Sequence, residues 1–124
     1  MEVVGDITEI TKVSTYLRKE VDRLADNLHK IAKGDISCDY QVSPPDDHTR
    51  DVASLFVAIN ESLKEATGAI SLMIEDVELL SQAATNGKLG TRADGSRHQG
   101  EFRKIVEEIN DTLDSVIVPV REAL

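Results

Sequence analysis

The stretch Asp51-Val52-Ala53-Ser54-Leu55, followed by Ile59-Asn60-Glu61-Ser62-Leu63, returns as Glu101-Phe102-Arg103-Lys104-Ile105 and Ile109-Asn110-Asp111-Thr112-Leu113. The offset is 50 residues, from Val52 to Phe102. Ahead of each copy lies an amphipathic segment that ends in a glycine, Gly34 or Gly87, and these are offset by 53 residues. A repeat of this period marks one supersecondary unit used twice. Each unit reads as helix, glycine stop, connector, helix.

Aromatic residues are 3% of the 124 residues and Trp is absent, so the apolar stock is aliphatic. Aliphatic residues at helical spacing suit bundles and coiled coils. Units of about 50 residues are marginal in isolation, which makes burial against a second chain the expected remedy. The net charge is −9, from 23 acidic and 14 basic residues. Such a balance argues against sequence-independent nucleic-acid binding and against attraction to an anionic membrane surface. The acidity reads as solvated outer helix faces. Cys38 is alone, so no internal disulfide can form and a reducing compartment is expected. No apolar run approaches the roughly 20 residues that span a bilayer. The start, Met1-Glu2-Val3-Val4-Gly5-Asp6, lacks the basic and apolar blocks of a signal peptide. A cytoplasmic location is expected, in a parent protein that is free to carry a membrane anchor elsewhere.

Between Ile7 and Ile31 the apolar positions are Ile7, Ile10, Val13, Leu17, Val21, Leu24, Leu28 and Ile31, in helical steps of three and four. Asp6 is placed to cap this helix, with Glu9 three residues on. Gly34 is its natural stop. A second pattern runs through Val52, Leu55, Ile59, Leu63, Ala66, Ile70, Met73 or Ile74, Val77, Leu80 and Ala84 with no strong breaker except Gly68, and predicts one helix from about Arg50 to Asn86. Its four-residue steps at Leu55, Ile59 and Leu63 break a strict heptad. A last helix is predicted from Glu101 to Val118, with Phe102, Ile105, Ile109, Leu113, Val116 and Ile117 inward and Pro119 opening a further helix.

The connectors span about 35–50 and 88–100. Pro44-Pro45 excludes helix in the first, and Asp46-Asp47 favours a turn and a new helix start. Ile36, Tyr40 and Val42 are apolar enough to pin it; the second has Leu89 and Ala93 in the places of Ile36 and Tyr40. Each connector is long enough, at about 3.3 Å per extended residue, to travel back along a helix of about 30 Å. The two helices of a unit can then run parallel, and a second copy related by a two-fold axis would close a four-helix bundle.

Ile31-Ala32-Lys33-Gly34-Asp35-Ile36 with Asp51-Val52, and Ala84-Thr85-Asn86-Gly87-Lys88-Leu89 with Glu101-Phe102, resemble the HAMP domain pattern twice over, as in the tandem arrays of methyl-accepting chemotaxis transducers. The resemblance implies an all-α fold: two concatenated parallel four-helix-bundle units formed by a homodimer, at residues 14–70 and 71–118, with helices shared across 66–74. It implies that Gly34 and Gly87 are the turn glycines, Ile36 and Leu89 the first connector anchors and Tyr40 the second. Asp51 and Glu101 would open the second helices and hold the connector or first-helix end. Glu20 and Met73 stand where the family often has a proline that follows a membrane helix, which suits units inside an array. The implied function is relay of conformational change from a sensor to an output, kinase-control domain of the same receptor.

Sharper chemistry finds little support. Asn60-Glu61-Ser62 and Asn110-Asp111-Thr112 match the glycosylation acceptor pattern, but inside predicted helices a packing or flank role is preferred. His29, His48 and His98 lack ligand spacing and read as surface residues. Cys38 with His48 makes no nucleophile. Glu107-Glu108 beside Arg103 and Lys104 reads as an ion-paired outer face. No catalytic, cofactor-binding or metal-ligating set is expected, and no enzyme. The alternatives to a relay are a static dimeric coiled-coil spacer and a monomeric bundle holding a small ligand or haem.

Overall fold

A computed structural model describes the backbone of residues 2–123 and the side chains of residues 7–117. Among the described residues there are three helices, α1 (Glu2–Ala32), α2 (Arg50–Thr85) and α3 (Gly100–Ala123), and a 3-10 turn at Gly95–Arg97. No strand occurs among the described residues, and no described helix is long and apolar enough to cross a membrane. The chain divides into two units, Met1–Thr67 and Gly68–Leu124, and α2 crosses that boundary unbroken.

In unit 1, α1 stops in a Schellman motif. The Gly34 amide donates to the Ile31 carbonyl at 2.9 Å and the Asp35 amide to Lys30 at 2.9 Å, with Gly34 at φ 86°. The connector then runs back along α1: Asp39 meets Asn27, Ser43 meets Glu20 and Tyr16, and Asp46 meets Lys12. It enters α2 through a reciprocal box in which the Thr49 amide donates to Asp46 Oδ1 at 3.0 Å and the Asp46 amide to Thr49 Oγ1 at 2.9 Å. Asn60 of α2 lies level with Tyr40 of the connector, ten residues into the helix. The two helices of unit 1 therefore run parallel.

Unit 2 repeats the device. Gly87, at φ 78°, donates to the Ala84 carbonyl at 3.1 Å and Lys88 donates to Ala83 at 2.8 Å. Its connector returns past Asp76 of α2 at His98 and turns into α3 at Gly100, where φ is 54°. Asn110 of α3 then lies level with Ala93, so these helices are parallel too. Leu80, Ala93 and Val106 form a buried core, with Met73, Ile109 and Leu113 packed against it.

Several expectations change. α1 begins at Glu2, ahead of Asp6, whose side chain lies outside the described residues. α3 continues through Pro119 to Ala123 instead of ending before it, although a proline inside a helix loses its own backbone hydrogen bond and crowds the carbonyl four residues back. Of the residues expected inward on α3, Ile117 is buried and Ile109 and Leu113 are half-buried, while Phe102, Ile105 and Val116 are exposed. The most buried is Val106, at 1% exposure. On α1 the apolar stripe Ile10, Leu17, Val21 and Leu28 is exposed, and the buried face is Tyr16, Glu20 and Asn27. α1 meets its connector along a polar stripe, which leaves its aliphatic stripe uncovered within the single chain.

Candidate functional site

The distinctive chemistry of each unit lies where an extended connector is held between two helices. A connector leaves alternate backbone groups unpaired, and burial against helices obliges side chains to satisfy them. In unit 1, α1 supplies most of these side chains. Asn27 is only 3% exposed; its Nδ2 donates to the Asp39 carbonyl at 2.8 Å and its Oδ1 accepts from the Asp39 amide at 3.0 Å. Arg23 donates to the Gln41 carbonyl at 2.8 Å. Glu20 Oε1 accepts from the Ser43 amide at 2.7 Å, and Tyr16 donates to the Ser43 carbonyl at 2.6 Å. Asn27, Arg23 and Glu20, three or four apart on the helix, thus read Asp39, Gln41 and Ser43, two apart on the connector, and Tyr16 takes the Ser43 carbonyl. The match is physical: three to four helical residues rise about 5 Å, close to two extended residues at about 3.3 Å each.

Glu20 and Arg23 also pair with each other at 2.6 Å, which compensates a carboxylate with a side chain only 1% exposed. Burial, and then the Glu20 carboxylate, push the Tyr16 phenol above its ordinary pKa, against the pull of Arg23. From α2, Asn60 Nδ2 donates to the Tyr40 carbonyl at 3.1 Å, and the Tyr40 hydroxyl bonds to Thr67.

In unit 2 the second helix takes over. Asn110 Nδ2 donates to the Ala93 carbonyl at 2.8 Å and its Oδ1 accepts from the Ala93 amide at 3.0 Å. Arg92 Nε donates to Asp114 at 2.8 Å. On the α2 side, His98 Nε2 contacts Asp76 Oδ2 at 2.5 Å, with side chains 1% and 2% exposed. Arg97 joins them, bonding Asp76 at 3.0 Å and Glu75 at 3.3 Å.

Asx-type turns shape both connectors. Asp35 accepts from Ser37, and Asp94 from Ser96, through hydroxyl and amide, and these bonds hold both carboxyls below their usual range. Asp46 is held low as well: burial opposes this, but amide bonds from His48 and Thr49 and the Thr49 hydroxyl prevail.

Of the residues singled out from the sequence, Gly34 and Gly87 both take positive φ where their helices stop, and Gly100 does so at the start of α3. Ile36 and Tyr40 are half-buried in the first connector, and Leu89 is 37% exposed in the second. Asp51 and Glu101 sit in the first turns of α2 and α3 and are exposed, and neither side chain bonds to a connector of its own chain. The expectation of a surface histidine fails for His98, which is buried against Asp76; His29 and His48 are exposed. Sequence reasoning missed Tyr16, Glu20, Arg23, Asn27, Asp76 and the part taken by Asn60 and Asn110. The asparagines had a signal, since they fall at the same place in both repeats and each bonds the connector at Tyr40 or its counterpart Ala93.

Among the described residues no group of three or more His, Cys, Asp or Glu side chains could hold a metal ion. What the geometry can do is hold two parallel helices at a fixed register through a strap that hydrogen bonds can grip or release. No curated protein matches the chain, and no solved structure does. A HAMP domain is found at residues 97–124, over the end of the second connector and α3.

Proposed function

We propose that the chain is a non-enzymatic signal-relay module: a parallel homodimer of two HAMP-like units in tandem, set between a sensor and a kinase-control output in a chemotaxis or other sensory receptor. The observation that carries this reading is the duplicated strap. Each unit has a glycine stop, a returning connector, and an asparagine of the second helix bonded to the connector backbone, and the HAMP match falls on the second of them.

The aliphatic stripes support the dimer. Ile10, Leu17, Val21 and Leu28 on α1, Leu55 and Ile59 on α2, and Phe102 and Ile105 on α3 are between 39% and 67% exposed. Such stripes at helical spacing call for a cover, and a second copy supplies an identical one. A relay also needs a path between units, and α2 offers a covalent one from Arg50 to Thr85. Two packings that differ by a few kcal/mol would let an input shift their balance.

The test is an insertion of two residues beside Gly68 in a receptor that carries this segment. It rotates everything downstream on α2 by about 200° relative to what precedes it. The relay predicts loss of stimulus-dependent kinase or methylation output. Normal output would assign the segment to the static spacer instead.

A further inference from the structure

We propose that the Asp76–His98 contact is a releasable latch, which ties α2 to a body made of the second connector and α3; the proposal rests on the relay reading. The body is defined by its internal ties. Asn110 holds both backbone groups of Ala93, Arg92 bonds Asp114, and Gly95 lies so close to Glu107 that an added Cβ would stand 3.1 Å from its Cγ. The connector of unit 2 thus travels with α3.

Its ties to α2 are of another kind. Leu80, Ala93 and Val106 touch through apolar surface, which is non-directional and tolerates sliding. Arg97 is 42% exposed, so its bonds to Glu75 and Asp76 compete with water. The buried directional contact that remains is Asp76 with His98. It sits at the hinge-like entry to α3, two residues before Gly100 with its positive φ.

The pair is poorly made for stability alone. His98 Nδ1 is buried with no hydrogen-bond partner among the described residues, so the network is only partly satisfied. A well-packed apolar pair would hold α2 at least as firmly. A buried polar pair beside an apolar core instead sets one register and lets go as a unit, which a relay requires.

The experiment uses the full chain with Cys38→Ser, diluted with unlabelled copies, and nitroxide pairs at Glu78 with Asp111 and at Ser96 with Glu108. In His98→Ala the α2–α3 pair should gain a second population displaced by about 2 Å, the scale of helix shifts in switching. The connector–α3 pair should not change, and His98→Gln, which keeps a donor, should behave as the native chain. Asp76→Leu with His98→Leu should give one narrow population and, in a receptor carrying the segment, an output that no longer answers the stimulus. The latch is overturned if His98→Ala leaves the α2–α3 distances alone, disturbs both pairs equally, or melts unit 2 outright. It is equally overturned if the double leucine variant responds normally. The two-residue insertion beside Gly68, read in the same receptor, separates the two ideas. Output lost on insertion but normal in every latch variant defeats the latch and leaves the relay standing.

Discussion

Unit 1 and unit 2 use one chain path with two different grips. In unit 1 the connector is bound to the first helix by a polar stripe, Tyr16, Glu20, Arg23 and Asn27, that meets its backbone group by group. In unit 2 the positions 53 residues on from Tyr16, Glu20 and Asn27 are Ala69, Met73 and Leu80. There the strap closes over an apolar core, Asn110 of the second helix holds the Ala93 backbone and Asp114 takes Arg92, while Arg97 and His98 reach back to Glu75 and Asp76 of the first. The lesson is that a connector's backbone must be satisfied, but either neighbouring helix can do it. In unit 1 the grip on α2 is the lighter one, through Asn60 and Tyr40–Thr67, whereas in unit 2 α2 is held through Asp76–His98 and the Arg97 bonds to Asp76 and Glu75.

The comparison can be broken most readily at Glu20. Glu20→Ala removes the buried partner of Arg23 and of the Ser43 amide, and should cost about 3 kcal/mol, read as lost amide protection in unit 1 peptides with unit 2 unaffected. Equal loss in both units would mean that the grips are not independent. Asn110→Ala strands two backbone groups of Ala93, a residue only 7% exposed, and should cost about 2 kcal/mol. Asn60→Ala breaks a single bond and should cost about 1 kcal/mol. Thermal unfolding of the two variants checks the order; the reverse order would show that the second unit does not depend on its asparagine.

The glycine turns are what the units share, so Gly34→Val and Gly87→Val should each cost more than about 1 kcal/mol, by forcing a branched residue to positive φ. A variant with unchanged melting would mean that the helix runs through its glycine. Smallest of all are the pH effects. The raised Tyr16 phenol contributes stability that is whole below the ordinary value of 10.0 and is lost as pH climbs through the folded one. Alkali should therefore loosen unit 1 first, and Tyr16→Phe should remove that difference. The depressed carboxyls of Asp35, Asp46 and Asp94 work in the opposite sense. Their contribution is present above the ordinary 3.8 and fades as pH falls below it. Two of the three are in unit 1, so acid exchange measured by connector should be faster in the first than in the second.

The helices, the two glycine turns and the parallel course of each unit were legible because they rest on local rules: helical periodicity, the need for glycine at positive φ, and connector length. The grips were not. Tyr16, Glu20, Arg23 and Asn27 share the helical period of the apolar stripe beside them, yet polar residues at that spacing look like a solvated face until a strap is laid across it. Asp76 and His98 are 22 residues apart, with no spacing that announces a pair. Val106 lies one position off the periodic run Phe102, Ile105, Ile109 and Leu113 read as inward, and the single chain buries the face toward Leu80 and Ala93. Asn60 and Asn110 were within reach, since the repeat itself marks them.

The account turns on a second copy covering the aliphatic stripes in parallel. The most direct measurement is disulfide crosslinking of single-cysteine variants in a Cys38→Ser background, with Val21→Cys for unit 1 and Val77→Cys for unit 2, alongside sedimentation at micromolar concentration. Both valines are 45% exposed in the single chain, and a parallel two-fold axis brings each toward its own copy. The account predicts a dimer in which both variants crosslink to themselves. A monomer in solution, or a dimer in which Val21→Cys pairs only with Val77→Cys, would contradict it.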